Sequence, residues 1–299
     1  MFGLVDCVKR TIAVRQMAKF FAKVDRAPLT RSPKEVGLAF EDISFEAADG
    51  VRLKAWFLPA GRSKKLVVFN HFMLGNRAGA VPHPDWGNVS VDFLPIYKTL
   101  VEAGYSVFTY ELRNHGESDV HDGGKLGLTH TEYQDAIAAQ DYVAKHYPDH
   151  DVYLYSQCYG TVATMRAMER APEKFADVKA FVNIQPLSAD AFVEGVTKEF
   201  GLAHPDNVAN FARHIEKQNG YGLEDLKVTN IAPAVTVPTM LVQVRKDFRT
   251  TNDDLNAIFA ALGTDDKEMV WIDDQVERLE GYNHFSRHPD QLVAFLDRF

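Results

Sequence analysis

The run Ser-Gln-Cys-Tyr-Gly at residues 156–160 joins a segment typical of a strand to one typical of a buried helix. The residues before it alternate as in a strand, and those after it are apolar enough for a helix inside the protein. A turn this sharp forces its middle residue into a strained backbone conformation and requires small residues two positions before and two positions after it. Ser156 and Gly160 meet this requirement when Cys158 is the middle residue. A frame centred on Ser156 would place Leu154 at one flank, so the sequence selects Cys158.

Two further strand-like segments precede this turn. Residues 65–70 are apolar and run into His71 and the loop after it. Residues 105–110 run into Arg-Asn-His-Gly-Glu-Ser at 113–118. Together with the turn at Cys158, these motifs resemble the α/β-hydrolase superfamily, in which the first strand leads to a His-Gly oxyanion loop and the last one to the nucleophile. The resemblance implies an α/β fold with a mostly parallel central sheet flanked by helices, and a small helical cap inserted over the active site.

The second half of the chain continues the resemblance. Asp247 follows a strand predicted over residues 237–244. His284 lies in a loop between a strand predicted over residues 268–272 and a predicted C-terminal helix. The superfamily places its triad acid and histidine at these two positions, in the chain order nucleophile, acid, histidine. The resemblance therefore implies a catalytic triad of Cys158, Asp247 and His284.

Alternatives remain open for the triad acid and for the histidine. Asp253 and Asp254 also follow the same strand, but the run Thr-Thr-Asn-Asp at residues 250–253 is typical of a helix N-cap. His288 competes with His284, yet it directly precedes a proline at the start of the predicted last helix. His71 and His115 end strands near the site, and we expect them to form hydrogen bonds within their loops.

Two departures from the superfamily pattern affect the chemistry. Cysteine replaces the usual serine nucleophile, as it does in the dienelactone hydrolases and polyhydroxyalkanoate synthases of the same superfamily. Phe72 stands where a glycine usually follows the oxyanion-loop histidine. We expect the oxyanion hole to use the backbone N–H of Tyr159 together with that of Met73 or Phe72.

The predicted chemistry is acyl transfer through a thioester. A thiol with its reference pKa of about 8.5 is only partly ionised at neutral pH, so it needs a base. His284 would take the proton or pair with the thiolate, and Asp247 would fix the imidazole tautomer. The sequence thus predicts a hydrolase that acts on a small-molecule ester, lactone, thioester or related carbonyl compound. An acyltransferase that uses the same acyl-enzyme and a non-catalytic binding protein on the same fold are the alternatives.

The composition limits the class of protein. A chain of 299 residues, 46% of them hydrophobic, is long enough for one α/β domain with an insertion. A net charge of −8 argues against nucleic-acid binding. The scattered histidines and the distant Cys7 and Cys158 lack the spacing of metal ligands, and no phosphate loop follows a strand, so we expect no metal and no other cofactor. Such distant cysteines also predict no structural disulfide, and hence a reducing, cytoplasmic location. No apolar run reaches the roughly 20 residues that span a bilayer.

The chain divides into four predicted segments: an N-terminal helical extension (1–38), the first part of the hydrolase core (39–185), a cap insertion (186–236) and the second part of the core (237–299). Apolar residues of the extension recur at helical spacing, with basic residues between them. We expect this helix to pack on its own domain or on a second subunit, which would give a homo-oligomer. Binding to an anionic membrane surface is the alternative.

Overall fold

The computed structural model describes residue 12, residue 14 and residues 22–82, 88–274 and 277–299. Most of the predicted N-terminal helix lies outside these residues. Of the two positions described within it, Val14 is buried and Ile12 is exposed.

A mostly parallel sheet of eight strands forms the centre of the described fold, and two short strands pair separately. In chain order the strands are β1 (Glu41–Glu46), β2 (Arg52–Leu58), β3 (Lys65–Asn70), β4 (Gly79–Ala80), β5 (Val91–Asp92), β6 (Tyr105–Tyr110), β7 (Asp151–Gln157), β8 (Phe181–Ile184), β9 (Thr239–Val244) and β10 (Lys267–Ile272). The sheet order is β1-β2-β6-β3-β7-β8-β9-β10, and β4 pairs with β5. β1 and β2 form the hairpin at the start of the sheet, β2 is antiparallel to β6, and the other neighbours are parallel. The predicted parallel sheet is therefore confirmed.

Helices cover both faces of this sheet. In chain order the α-helices of the described residues are α1 (Leu94–Glu102), α2 (Tyr133–His146), α3 (Tyr159–Arg170), α4 (Ala189–Glu199), α5 (Pro205–Asn219), α6 (Asn252–Ala261), α7 (Arg278–Tyr282), α8 (His284–Arg287) and α9 (Pro289–Leu296). One apolar cluster packs α2, α3 and α6 on the sheet, and a second packs α1, α8 and α9. In the part of the chain that is described, no helix combines the length and apolar character needed to cross a membrane.

Strand β7 shows how the sheet is buried on both faces. Leu154 belongs to the cluster with α2 and α3, whereas Tyr153 and Tyr155 belong to the cluster with α1 and α9. Successive side chains of a strand point to opposite faces, so each face of β7 meets its own layer of helices. A strand covered on both sides is mostly apolar, which is why residues 152–155 of β7 form a continuous apolar run in the sequence.

The segment between β8 and β9, where the sequence predicts a helical cap, contains α4 and α5. α4 and α5 share a third apolar cluster, to which Phe192, Phe211 and Ile215 belong. Val14 of the N-terminal extension is fully buried in the same cluster. This position of the extension therefore packs on α4 and α5 of its own chain.

The segment around His284 differs from the prediction. It is helical, with α7 ahead of His284 and α8 beginning at it, whereas the sequence pattern predicts a loop. Pro289 starts the last helix as expected, because proline fits the first helical turn. The short helix α7 matters for the site, since it places the side chains of residues 278 and 282 on one face.

Candidate active site

The turn at Cys158 has the strained geometry that its sequence predicts. Cys158 adopts φ +48° and ψ −110° between β7 and α3, a combination that residues other than glycine rarely adopt. Its N–H donates to the carbonyl of Ile184 at 2.8 Å, which ties the turn to β8. A Cβ at Gly160 would collide with Oδ1 of Asn70 and with the carbonyl oxygen of His71, so a larger residue does not fit. The requirement for glycine at this position is confirmed.

Cys158 lies at a cavity of about 120 Å³. Its walls are mostly apolar, and they include Met73, Leu128, Leu187, Phe192, Ile215 and Leu226. The polar side chains that reach it beside Cys158 include Arg249, Arg278 and Tyr282. Within the described residues, neither a histidine nor a carboxylate lines this cavity. Apolar walls with a few polar groups together suit a small, mostly apolar ligand.

One wall of the cavity is a strained turn. Leu128 and Thr129 have φ values of +48° and +71°, which are unfavourable for a bulky and a β-branched residue. The carboxylate of Glu132 holds the turn by accepting hydrogen bonds from the N–H groups of Gly127 and Thr129, both at 3.0 Å. Oη of Tyr159 accepts a further bond from the N–H of Thr129 at 3.2 Å. Tyr159, the residue directly after Cys158, thus anchors this wall of the cavity.

The predicted oxyanion donors lie at the same cavity as Cys158. Met73 and Tyr159 both line it, as does Phe72. Tyr159 is the first residue of α3, where backbone N–H groups have no partner within the helix and the helix dipole favours negative charge. The N–H of Tyr159 therefore suits an anion, and Met73 and Phe72 remain the alternatives for the second donor.

His71 and His115 are buried and serve their own loops. Nδ1 of His71 donates to the carbonyl of Phe72 at 2.8 Å, and its Nε2 accepts from the N–H of Leu112 at 3.1 Å. Burial, with a contribution from His115, lowers the pKa of His71 to about 3. Burial likewise lowers the pKa of His115 to about 4. Both rings are therefore neutral at neutral pH, and His71 fixes the loop that carries the predicted donors.

Asp247 lies just beyond β9, as predicted, but its carboxylate does not contact His284. Oδ1 accepts a hydrogen bond from the N–H of Arg249 at 3.0 Å, and Oδ2 accepts one from the amide of Gln243 at 3.1 Å. Oδ2 also forms an ion pair with Arg278, and both side chains are almost completely buried. Both oxygens of the predicted triad acid are thus engaged by groups other than an imidazole.

His284 faces α9 instead of Cys158. Its Nε2 donates to Oε1 of Gln291 at 2.9 Å, and its ring lies 4.7 Å from that of His288. Burial lowers the pKa of His284, so the imidazole is neutral. The predicted contact between Asp247 and His284 is therefore not formed in this structure. Its physical cause is the helical path of α7 and α8, which turns the imidazole toward the last helix.

Arg278 and Tyr282 lie between Asp247 and Cys158, where the triad histidine is predicted. Nε of Arg278 donates to Oη of Tyr282 at 2.8 Å, and Nη1 donates to Asp247. Both side chains line the same cavity as Cys158 and lie close enough to interact with its thiol. Burial disfavours the charged guanidinium, but the contacts with Tyr282 and Asp247 outweigh it and raise the pKa of Arg278. Burial raises the pKa of Tyr282, so its phenol is protonated at neutral pH.

The backbone around α7 fixes Arg278 from two sides. Gln185 has φ +50°; its carbonyl accepts from Nη2 of Arg278, and its amide donates to the carbonyl of Arg278 at 2.8 Å. A Cβ at Gly281 would lie 2.5 Å from Cγ2 of Val244, so glycine lets α7 approach the end of β9. Arg278 therefore has little freedom to leave the site.

Three residues of the site do not stand out in the sequence: Arg249, Arg278 and Tyr282. Arg278 and Tyr282 are four positions apart, a spacing that places two side chains on one face of a helix. This spacing could have indicated that the two side chains lie together, but only if the segment were already known to be helical. No pattern marks Arg249.

Solved structures of hydrolases are similar to this chain over most of its length. The Pyrococcus furiosus esterase PF2001 has a TM-score of 0.70 at 17% identity, covering 93% of this chain and 98% of that one. The α/β-hydrolase GrgF from Penicillium sp. sh18 has a TM-score of 0.63 at 14% identity, covering 87% and 99%. Est1E from Butyrivibrio proteoclasticus, with ferulic acid bound, has a TM-score of 0.57 at 16% identity, covering 84% and 96%. At such identities the likeness establishes the fold, and the predicted α/β-hydrolase fold is confirmed.

A family model described as serine aminopeptidase, S33, matches residues 87–215, which is less than half of the chain. This match includes the elbow, where the chain carries Cys158 and the family description names a serine enzyme. No curated protein sequence matches the chain significantly.

Proposed function

We propose that this protein is an esterase-like hydrolase that cleaves an ester, lactone, thioester or related carbonyl compound through an acyl-thioester on Cys158. The observation that carries the proposal is a cysteine in a strained left-handed conformation at the elbow, next to an apolar cavity. Strain of this kind persists only where the surrounding structure imposes it, and it concentrates at functional sites. The likeness to esterases supports the same reaction class by analogy.

In this reaction the sulfur of Cys158 attacks the carbonyl carbon of the substrate. The N–H of Tyr159 and that of Met73 or Phe72 stabilise the oxyanion, each by about 3 kcal/mol. Water then resolves the thioester and releases the acid. An alcohol or amine that replaces water at this step would make the protein an acyltransferase, so the same acyl-enzyme serves both outcomes.

We also propose that α4 and α5 act as a cap over the acyl group. Phe192 of α4 and Ile215 of α5 line the cavity, together with Leu226. A Cβ at Gly195 would collide with the carbonyl oxygen of Phe248, so α4 packs directly against the loop after β9. Such a cover excludes water, which strengthens the electrostatic interactions around the reacting atoms.

The test is hydrolysis of p-nitrophenyl esters of increasing acyl length, followed by intact-mass measurement of the quenched protein. We expect a burst of p-nitrophenol and a mass increase equal to one acyl group, which peptide mapping assigns to Cys158. Cys158→Ala should show neither, whereas Cys7→Ala, at the other cysteine of the chain, should show both. Turnover by Cys158→Ala at the rate of the wild type would overturn the proposal. An added alcohol or amine that captures the acyl group would identify a transferase.

A binding protein on the same fold is the second candidate. Among the described residues no histidine lines the cavity, and this observation favours it, because acyl enzymes ordinarily activate their nucleophile with an adjacent base. A binding protein should take up a short fatty acid with equal affinity in the wild type and in Cys158→Ala, as measured by calorimetry. It should also form no acyl adduct with any ester of the series.

A further inference from the structure

We propose that Tyr282, held by Arg278, transfers the proton in the acyl reaction of Cys158, in the role that His284 has in the predicted triad. The inference rests on the proposed hydrolase function and identifies its proton donor. It follows from a chain of hydrogen bonds that runs from the carboxylate of Asp247 through the guanidinium to the phenol, which lines the same cavity as the sulfur.

The hydrogen bonds in this chain fix the direction of each proton. A guanidinium can only donate, so Nε of Arg278 donates to the oxygen of Tyr282 at 2.8 Å. The hydroxyl proton of Tyr282 is then free to be donated into the cavity, which Cys158 also lines. Nη1 and Nη2 of Arg278 donate to Asp247 and to the carbonyl of Gln185, so the guanidinium is held in this orientation.

His284, His71 and His115 form hydrogen bonds with groups other than Cys158. Nε2 of His284 donates to Gln291 at 2.9 Å. His71 uses both ring nitrogens within its own loops. Nδ1 of His115 donates to the carbonyl of Arg113 at 2.8 Å. None of these three rings lines the cavity at Cys158. Tyr282 lines this cavity together with Cys158 and carries a transferable proton that the guanidinium of Arg278 orients.

Arg278 stabilises whichever neighbour becomes negative. Its charge is balanced by Asp247 in the resting site, and its Nε remains directed at the oxygen of Tyr282. Burial raises the pKa of Tyr282, while the adjacent guanidinium acts in the opposite direction. The phenol therefore keeps its proton until an alkoxide departs, and the guanidinium stabilises the phenolate that remains.

The proton then completes a cycle. The thiolate of Cys158 forms a bond to the acyl carbon, and the carbonyl electrons move to the oxygen. As the tetrahedral species collapses, the bond to the alkoxide breaks and Tyr282 gives its proton to the departing oxygen. The phenolate next removes a proton from the water that attacks the thioester. The carbon–sulfur bond breaks and the thiolate returns to its contact with Arg278. The sum is ester plus water to acid plus alcohol, with every side chain restored.

The test compares two leaving groups, because p-nitrophenolate departs without a proton and an alkoxide does not. Tyr282→Phe removes the hydroxyl but keeps the ring, which is stacked on Phe72 at 4.5 Å. We expect its acylation rate with ethyl butanoate to fall by about 10²- to 10⁴-fold, and its rate with p-nitrophenyl butanoate to change far less. Tyr147→Phe is the matched control, since this ring also stacks on a phenylalanine, at 4.3 Å from Phe57. His284→Ala should acylate like the wild type with both esters.

A second readout does not depend on turnover. The rate at which iodoacetamide alkylates Cys158 is measured against pH. Arg278→Met and Tyr282→Phe should each slow alkylation at neutral pH, because both remove a polar group at the cavity that Cys158 lines, and His284→Ala should leave the rate unchanged. An alkylation profile that changes only in His284→Ala would overturn the inference. So would a result in which His284→Ala loses acylation while Tyr282→Phe keeps full activity on the ethyl ester. If the wild type turns over no ester, the hydrolase proposal fails. The alkylation profiles still test whether Arg278 and Tyr282 act on Cys158.

Discussion

Replacement of Gly281 by alanine tests how closely α7 must approach the sheet. A Cβ at this position would lie 2.5 Å from Cγ2 of Val244 and 2.8 Å from Nε2 of Gln185. Carbon atoms in favourable contact are about 3.5 Å apart or more, so α7 must move by about 1 Å unless these side chains give way. Val244 is buried and β-branched, which leaves it little rotamer freedom. We therefore expect the helix to move and to carry Arg278 and Tyr282 with it.

Two opposing effects determine the change in the free energy of unfolding. Alanine is more favourable than glycine inside a helix by about 1 kcal/mol. Over-packing a buried position costs about 1 to 3 kcal/mol. We expect a net loss of about 1 kcal/mol, the difference between these values. The effect on acylation should be larger, because a displacement of about 1 Å at reacting groups can lower a rate by about 10²-fold.

Urea denaturation and single-turnover acylation measure these two quantities on the same preparation. Gly222→Ala is the control, because the nearest atom to a Cβ there is Oδ2 of Asp225 at 3.6 Å, an ordinary contact. This control should change neither quantity. A Gly281→Ala protein that is more stable than the wild type and is acylated at the same rate would refute the argument that α7 is tightly packed.

Two further predictions concern stability. Burial holds the pKa of His71 at about 3, below its unfolded value of about 6.5. Below about pH 6.5 the unfolded state therefore binds a proton that the native state lacks, and the free energy of unfolding falls as the pH drops. His71→Gln should reduce this slope by up to about 1.4 kcal/mol per pH unit in denaturation curves between about pH 6.5 and pH 4, and an unchanged slope would contradict a neutral buried ring. Val14→Ala should lower the free energy of unfolding by about 2 kcal/mol, since Val14 is fully buried against α4 and α5. Ile12→Ala, at a residue that is 51% exposed, should have little effect, and equal losses at both positions would contradict packing of this face on the protein.

The fold is largely predictable from the sequence because its strands and helices are encoded in local patterns. Strand β9 is predicted over residues 237–244 and observed at Thr239–Val244. It starts after Pro238, which lacks the N–H that a strand inside a sheet needs. The helices α4 and α5 lie where the sequence predicts a helical cap, and the glycines at positions 220 and 222 mark the turn after α5. Such signals depend on neighbours in the chain and not on distant contacts.

The elbow is predictable for the same reason. The sharp turn needs glycine at position 160 because a side chain there would collide with Asn70, the last residue of the neighbouring strand β3, and with His71, which follows it. The geometry of a strand-to-helix turn therefore identifies Cys158 without knowledge of the rest of the fold. No comparable local rule decides which side chain reaches Cys158 from the segment after β10.

That choice depends on the charge of Arg278. A guanidinium buried beside Cys158 without a carboxylate would be destabilising by about 3 to 5 kcal/mol, so Asp247 must pair with it once it is buried there. Neutral His284 loses little by binding Gln291 instead, because an amide satisfies its N–H. Chain order places both Arg278 and His284 near Asp247. The carboxylate pairs with Arg278 because the guanidinium carries a permanent charge and the imidazole is neutral. A neutral residue at position 278 would leave the carboxylate of Asp247 without its ion pair. The variant Arg278→Met is therefore the one that most favours a contact between Asp247 and His284, as in the predicted triad.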